Sequence, residues 1–327
     1  MDKPLSPDAH QASGAPLVGL IRNPRSHRNK GQPAEMADCP TVMTEAPRSH
    51  ADLMKVLQGF ADRGIRYLAI DGGDGTVRDV LTCGAPIFGD VWPELIVLPK
   101  GKTNALTVDL GLPRGWTLPE SLEAAERGGR VVRRPLRITP ESGEGEVLLG
   151  YFFGAGVFTL GIDAGQDAHR LGAFNSLAVG VTIAWGIVQT LFGRRANPWR
   201  ALTPMRLVHA ADGTDLPHSQ HGRPGERFIT VATTFERFPL GVKPFGPQVQ
   251  PGLKFGLIDW PLRWLVAMVP AILLGFFPDF VARNGAHRLA TGAVRADIGG
   301  DFILDGEAYG PGRFLIDEGP ELRFVVP

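Results

Sequence analysis

Three short apolar runs in the first hundred residues each end in a polar loop marked by glycine or proline, and a segment of helical spacing intervenes before the next. Leu17–Arg22 (LVGLIR) leads into Asn23-Pro24, Tyr67–Ile70 (YLAI) into Gly72-Gly73-Asp74-Gly75-Thr76, and Leu95–Leu98 (LIVL) into Pro99-Lys100-Gly101-Lys102-Thr103-Asn104. Leu53, Val56, Leu57 and Phe60 recur at the period of a helix over Asp52–Arg63. Helices are also expected from about Thr76 to Leu81 and over Ala105–Leu110, closed by Gly111. Strands alternating with helices predict a parallel α/β layer.

Beyond Gly128-Gly129 the pattern changes. The runs VVRRPLRI, EVLLGYFFGAG, MRLVHA, RFITVATTF, FILDG, RFLIDEG and LRFVVP are strand-like and separated by turn residues, so a mostly antiparallel β-rich domain with inserted apolar helices is expected. The division read from the sequence is a mobile lead-in over 1–15, an α/β domain over 16–129 and a β-rich domain over 130–327, whose final strands could return to the first domain. Leu171–Gly193 carries no charge and is long enough to span a bilayer, but Asn175, Ser176, Thr182, Gln189 and Thr190 dilute it. Trp264–Phe277 is short and interrupted by Pro270. Both are read as buried or membrane-surface helices. The polar stretch Ala211–Glu226, with His218 and His221, is read as a solvated surface loop.

Composition narrows the function classes. Lys plus Arg and Asp plus Glu are equal at 34 each, so no global field draws in nucleic acid. The two cysteines, Cys39 and Cys83, fit a reducing compartment and match no metal-ligand spacing.

The chemistry lies in the loops. Three glycines within four residues suggest a backbone shape that side chains would forbid. A glycine turn between strand and helix offers backbone N–H groups to an anion, and Thr76 can add a hydroxyl. Asp74 would repel a bare nucleotide unless Mg²⁺ lies between them or Asp74 serves as a base. The turn is no Walker A loop, and Arg78 stands where a dinucleotide fingerprint needs glycine. On these residues alone, an ordinary strand-to-helix turn and an anion site both remain open. In parallel sheets ligands bind beyond the carboxyl ends of strands, which is where all three loops fall. Asp305-Gly306 alone suits a hairpin turn as well as a catalytic pair.

Taken in order and spacing, the loops resemble those of the diacylglycerol kinase catalytic-domain family, the bacterial soluble lipid kinases related to sphingosine and ceramide kinases. Asn23-Pro24-Arg25-Ser26 is similar to its Asn-Pro-x-Ser-Gly loop, Gly72–Thr76 to its nucleotide motif, Pro99–Asn104 to its Pro-x-Gly-Thr-x-Asn loop, Gly156–Gly165 to the segment entering its second domain, and Asp305-Gly306-Glu307 to its C-terminal Asp-Gly-Glu. The resemblance implies an ATP- and Mg²⁺-dependent kinase with nucleotide on the first domain, lipid on the second and chemistry between them. It places Asn23, Ser26, Arg28, Gly72, Gly73, Asp74, Gly75, Thr76, Gly101, Lys102, Thr103 and Asn104 around the nucleotide, with Thr44 near the adenosine end. Asp305 would be the general base, Glu307 would contact nucleotide or metal, and Asp74 completes the catalytic set.

The chain also departs from the pattern. His27, Lys102 and Ala105 replace an expected glycine, threonine and acid, and Phe255 stands where some relatives carry an acid of a structural metal site. A neutral lipid (diacylglycerol, or a ceramide or sphingoid lipid) and the membrane surface are the expected partners, with peripheral attachment on the cytoplasmic side; a homodimer is compatible with this reading and nucleic acid is not expected. The alternatives are an NAD kinase, which shares the Gly-Gly-Asp-Gly motif, and a binding module without turnover.

Overall fold

The computed structural model describes residues 17–160, 186–194, 196–246 and 251–327. Most of Leu171–Gly193 and the end of Gly156–Gly165 lie outside them. The parallel layer forms as the alternation requires. β1 (Val18–Arg22), β2 (Val42–Glu45), β3 (Tyr67–Gly72) and β4 (Glu94–Pro99) pair in parallel, in the spatial order β2-β1-β3-β4. β1 and β3 are buried at every position, as expected of strands covered on both faces. Helix α1 (His50–Asp62) starts at Ser49, whose hydroxyl accepts from the Asp52 N–H, and buries Leu53, Leu57 and Phe60. Helix α2 (Asp74–Phe88) starts inside the glycine turn and runs past the expected Leu81; Pro86 sits within it. Helix α3 spans Ala105–Asp109. Helix α4 (Leu118–Glu126) has a reciprocal cap between Thr117 and Glu120.

Two sequence runs that read as single strands are divided between sheets. VVRRPLRI breaks at Pro135, which has no N–H to give a ladder. Its first half, β5 (Arg130–Arg133), joins the parallel sheet's edge, and its second half, β6 (Leu136–Pro140), enters another sheet. EVLLGYFFGAG breaks at Tyr151 into β7 (Leu148–Gly150) and β8 (Phe152–Gly156), again in different sheets. The β-rich part is a sandwich. One sheet orders β10 (Glu226–Arg227), β9 (Thr203–His209), β14 (Val294–Ile298), β17 (Gly312–Glu318), β6 and β7. The other orders β13 (Ala286–Ala290), β12 (Lys254–Ile258), β11 (Ile229–Thr233), β8, β15 (Phe302–Leu304) and β16 (Glu307–Tyr309). All pairings in these two sheets are antiparallel, and both inner faces fill one core that includes Ile138, Phe153, Phe255, Val294, Phe302 and Ile316. Phe255 is thus wholly buried in the sandwich core.

The two parts share structure. β18 (Leu322–Val325) returns from the sandwich to lie between β4 and β5. Leu149, Tyr151, Phe235 and Phe238 of the β-rich part join the apolar core of α1, α2, β3 and β4. The Thr82 hydroxyl of α2 accepts from the Leu149 N–H and donates to its carbonyl.

In the second apolar stretch the chain turns in short helices, Arg263–Ala267 and Val269–Leu273, meeting at Met268. No described helix is long and apolar enough to cross a membrane. The polar loop is held down more firmly than a solvated loop would be. Buried Asp259 accepts from Arg227, from the Ser219 N–H at 2.7 Å and from His287 Nε2 at 2.8 Å. His218 and His221 bond to the Ser219 carbonyl and to Asn284.

Candidate functional site

The strand-end loops interlock. The Asn23 side chain donates to the Thr76 hydroxyl at 2.9 Å, tying the first loop to the second. The Arg28 N–H donates to the Lys100 carbonyl at 3.2 Å, tying the first to the third, while the Arg28 guanidinium reaches the Arg114 carbonyl. The second and third loops meet backbone to backbone. A Cβ on Gly73 would come within 2.9 Å of the Gly101 Cα, and one on Gly101 within 2.6 Å of the Gly73 Cα. A Cβ on Gly72 would strike Thr76 at 2.5 Å, while beside Gly75 the nearest atom stands 4.0 Å away on Arg78. None of these four glycines has positive φ, so close approach rather than unusual backbone conformation demands Gly72, Gly73 and Gly101.

Asn104 shapes the third loop. It adopts φ of 52°, accepts from the Gly101 N–H at 2.8 Å and donates to the Gly101 carbonyl at 3.0 Å. Lys102 and Thr103 are exposed on that loop, and Ser26 is buried in the first. Thr44 lies on β2 at the register of Leu20, with its hydroxyl buried and without a partner among the described residues.

Asp74 is placed differently from a carboxylate free to hold a metal. Its oxygens accept from the Ala105 and Leu106 N–H groups at 3.0 and 3.2 Å, so it caps α3 and latches the second loop to the third. Burial raises its carboxyl above the usual range, against the pull of those N–H groups. Among the described residues no N-cap side chain bonds the start of α2, which leaves amides of its first turn beyond Asp74 to a ligand or solvent.

Asp305 comes from the opposite part of the molecule. Asp305 and Gly306, with φ of 44° and 86°, form the two-residue turn between β15 and β16. The hairpin and the site carboxylate are therefore the same feature. The Asp305 oxygens each accept a backbone N–H at 2.9 Å, from Tyr151 and Phe152. Those donors are exposed by the break between β7 and β8. Gly150 makes room, since a Cβ there would lie 2.6 Å from the Asp305 carboxylate. Burial, then the charge of Asp74, pushes the Asp305 carboxyl up to about 7, while the two N–H groups and Arg78 pull the other way.

Arg78 was visible in the sequence only as a mismatch to a dinucleotide motif. Its buried guanidinium, on α2, donates to the Leu304 carbonyl at 3.2 Å and lies 3.7 Å from the Glu307 carboxylate and 2.7 Å from Asp79. It fastens the nucleotide-motif helix to the Asp-Gly-Glu hairpin. Glu307 itself is mostly exposed. Glu35, also unmarked in the sequence, braces the third loop by accepting from Lys100 Nζ and from the Leu118 N–H, both at 2.6 Å.

Residues 19–133, which carry the three interlocked strand-end loops, match the model of the diacylglycerol kinase catalytic domain. The fold is shared with solved proteins of Bacillus anthracis str. Sterne: a candidate diacylglycerol kinase with a TM-score of 0.66, 16% identity and cover of 95% of this chain and 97% of that one, and a protein described as a diacylglycerol kinase with a TM-score of 0.63, 16% identity and cover of 95% and 97%. No curated protein sequence matches the chain.

Proposed function

We propose that the protein is an ATP- and Mg²⁺-dependent lipid kinase that moves the γ-phosphate to a primary hydroxyl of a neutral lipid, with Asp305 as general base. The observation that carries this reading is the position of Asp305. It is a sandwich carboxylate within electrostatic reach of the nucleotide-motif Asp74 and poised near neutrality. A base whose proton affinity lies near the working pH is suited to take a hydroxyl proton.

The residues fit a triphosphate. Glycine contacts bring two loop backbones together, the N-cap of α2 carries no side-chain cap, and the third loop includes the exposed, cationic Lys102. Bound Mg²⁺ would supply charge neutralisation for the phosphates, and exposed Glu307 is the acid placed to meet the nucleotide or its metal. Asp74 holds the loops in register, and Arg78 orients the hairpin that carries Asp305. Exposed Trp264, Leu274, Phe276 and Phe280 beside Arg263 and Arg283 suit a face resting on a bilayer, where a water-insoluble acceptor resides.

The test is transfer of labelled phosphate from ATP to diacylglycerol, monoacylglycerol, ceramide and sphingosine, with NAD as a soluble acceptor. Transfer to a lipid is expected. Asp305→Asn should lower kcat by about 100-fold or more, the usual loss on removing a general base. Full activity in that variant removes Asp305 from the role. Transfer to NAD alone, or nucleotide binding without transfer, overturns the lipid kinase reading.

A further inference from the structure

Away from the loop cluster, the fold gathers donors that no sequence motif unites. His50 opens α1, Cys83 lies in the middle of α2, and Glu146 sits in the turn between β6 and β7. One ligand atom from each lies within 4.8 Å of the others. Asp79, one turn before Cys83 on α2, places Oδ1 3.5 Å from His50 Nε2. We infer that His50, Cys83 and Glu146, with Asp79 as a fourth donor, form a binding site for a borderline divalent transition metal of the zinc class.

The donor chemistry selects the ion. An imidazole, a thiol and carboxylates are zinc ligands, whereas magnesium and calcium prefer oxygen alone. Metal–ligand bonds of about 2.0–2.3 Å put the donors of a tetrahedral zinc site about 3.4 Å apart. His50 and Glu146 are exposed and Cys83 is buried beneath them, so modest rotation of the two outer side chains closes the site and the ion enters from solvent. On binding, a divalent ion displaces the Cys83 thiol proton, which leaves to solvent, and the thiolate becomes the metal's ligand. The two cysteines showed no ligand spacing because the partners come from three elements that only the folded chain brings together. Two elements belong to the nucleotide-motif domain and one to the sandwich, so the ion would tie the domains beside the Arg78 contact.

Cobalt titration of the purified full chain tests this without reference to turnover. One equivalent of Co²⁺ should give a thiolate-to-cobalt charge-transfer band that Zn²⁺ displaces and Mg²⁺ does not. Cys83→Ser should abolish the band, and Cys39→Ser should keep it. His50→Ala and Glu146→Gln, at exposed positions, should retain the native circular dichroism and weaken binding by at least about tenfold, since even outer-shell partners of a metal are worth that much. Zinc should raise the melting temperature of the wild-type chain by more than that of Glu146→Gln at the same zinc concentration. Absence of the band in folded wild-type protein, its survival in Cys83→Ser, or unchanged affinity in both His50→Ala and Glu146→Gln would overturn the site.

Discussion

Gly101 and Asp305 show how single residues set the site. Gly101 has no room for a methyl group, because Gly73 and Asn104 both stand closer than 3 Å to where it would go. Gly101→Ala must separate the loops, and overpacking of this kind costs about 1–3 kcal/mol. Denaturant unfolding should register that loss, and nucleotide affinity should fall with it; unchanged affinity would show that the loop contact does not shape the nucleotide site. At Asp305 the folded carboxyl titrates at about 7, so the basic form accumulates as pH rises through that value. The acidic limb of kcat/KM in the free enzyme should therefore rise with pH and bend near 7, and the bend should disappear in the residual activity of Asp305→Asn. A limb bending near the usual carboxylate value would assign it to another group. The sequence marked both residues through motif spacing. It could not show that both Asp74 oxygens are taken by α3 amides, because that bond joins positions 31 and 32 residues apart. Arg78 escaped for a similar reason: its partners lie in a hairpin more than two hundred residues away.

Among the elements, those with a strong local signal were legible and those defined by pairing were not. The strands before each loop match their apolar runs closely, since a strand buried on both faces needs uninterrupted hydrophobic residues. The division of VVRRPLRI and of EVLLGYFFGAG between sheets was hidden, because strand propensity continues across each break while the hydrogen-bond partner changes. Helix α4 did carry a usable sign, Thr117 followed three residues later by Glu120 with proline between. Thr117→Ala removes that cap and should cost about 1 kcal/mol in chemical denaturation. A loss well under half that amount would mean packing alone holds α4 in place. β2 is short and only partly buried, so its sequence stood out little even though Thr44 lies on it.

For the molecule as a whole, the sequence anticipated a parallel layer followed by an antiparallel one. It missed how thoroughly they are merged through the shared core and the Arg78, Thr82 and Asp109 contacts. Buried Asp109, at the end of α3, pairs with Arg133 at 2.7 Å and accepts the N–H groups of Glu236 and Arg237. The exposed aromatic group on the sandwich is the surface proposed to meet lipid. Trp264→Asp or Phe276→Asp should reduce flotation with liposomes while leaving the far-ultraviolet spectrum intact; flotation equal to wild type would move the membrane contact elsewhere.

The position of β18 has a consequence for biosynthesis. Until residue 325 has left the ribosome, β4 and β5 flank an empty slot, and the nucleotide-motif sheet presents unpaired strand edges. The domain made first therefore reaches its finished form last, and a nascent chain interrupted anywhere in the sandwich would carry the strand-end loops on an unsealed sheet, exposed to chaperones and proteases.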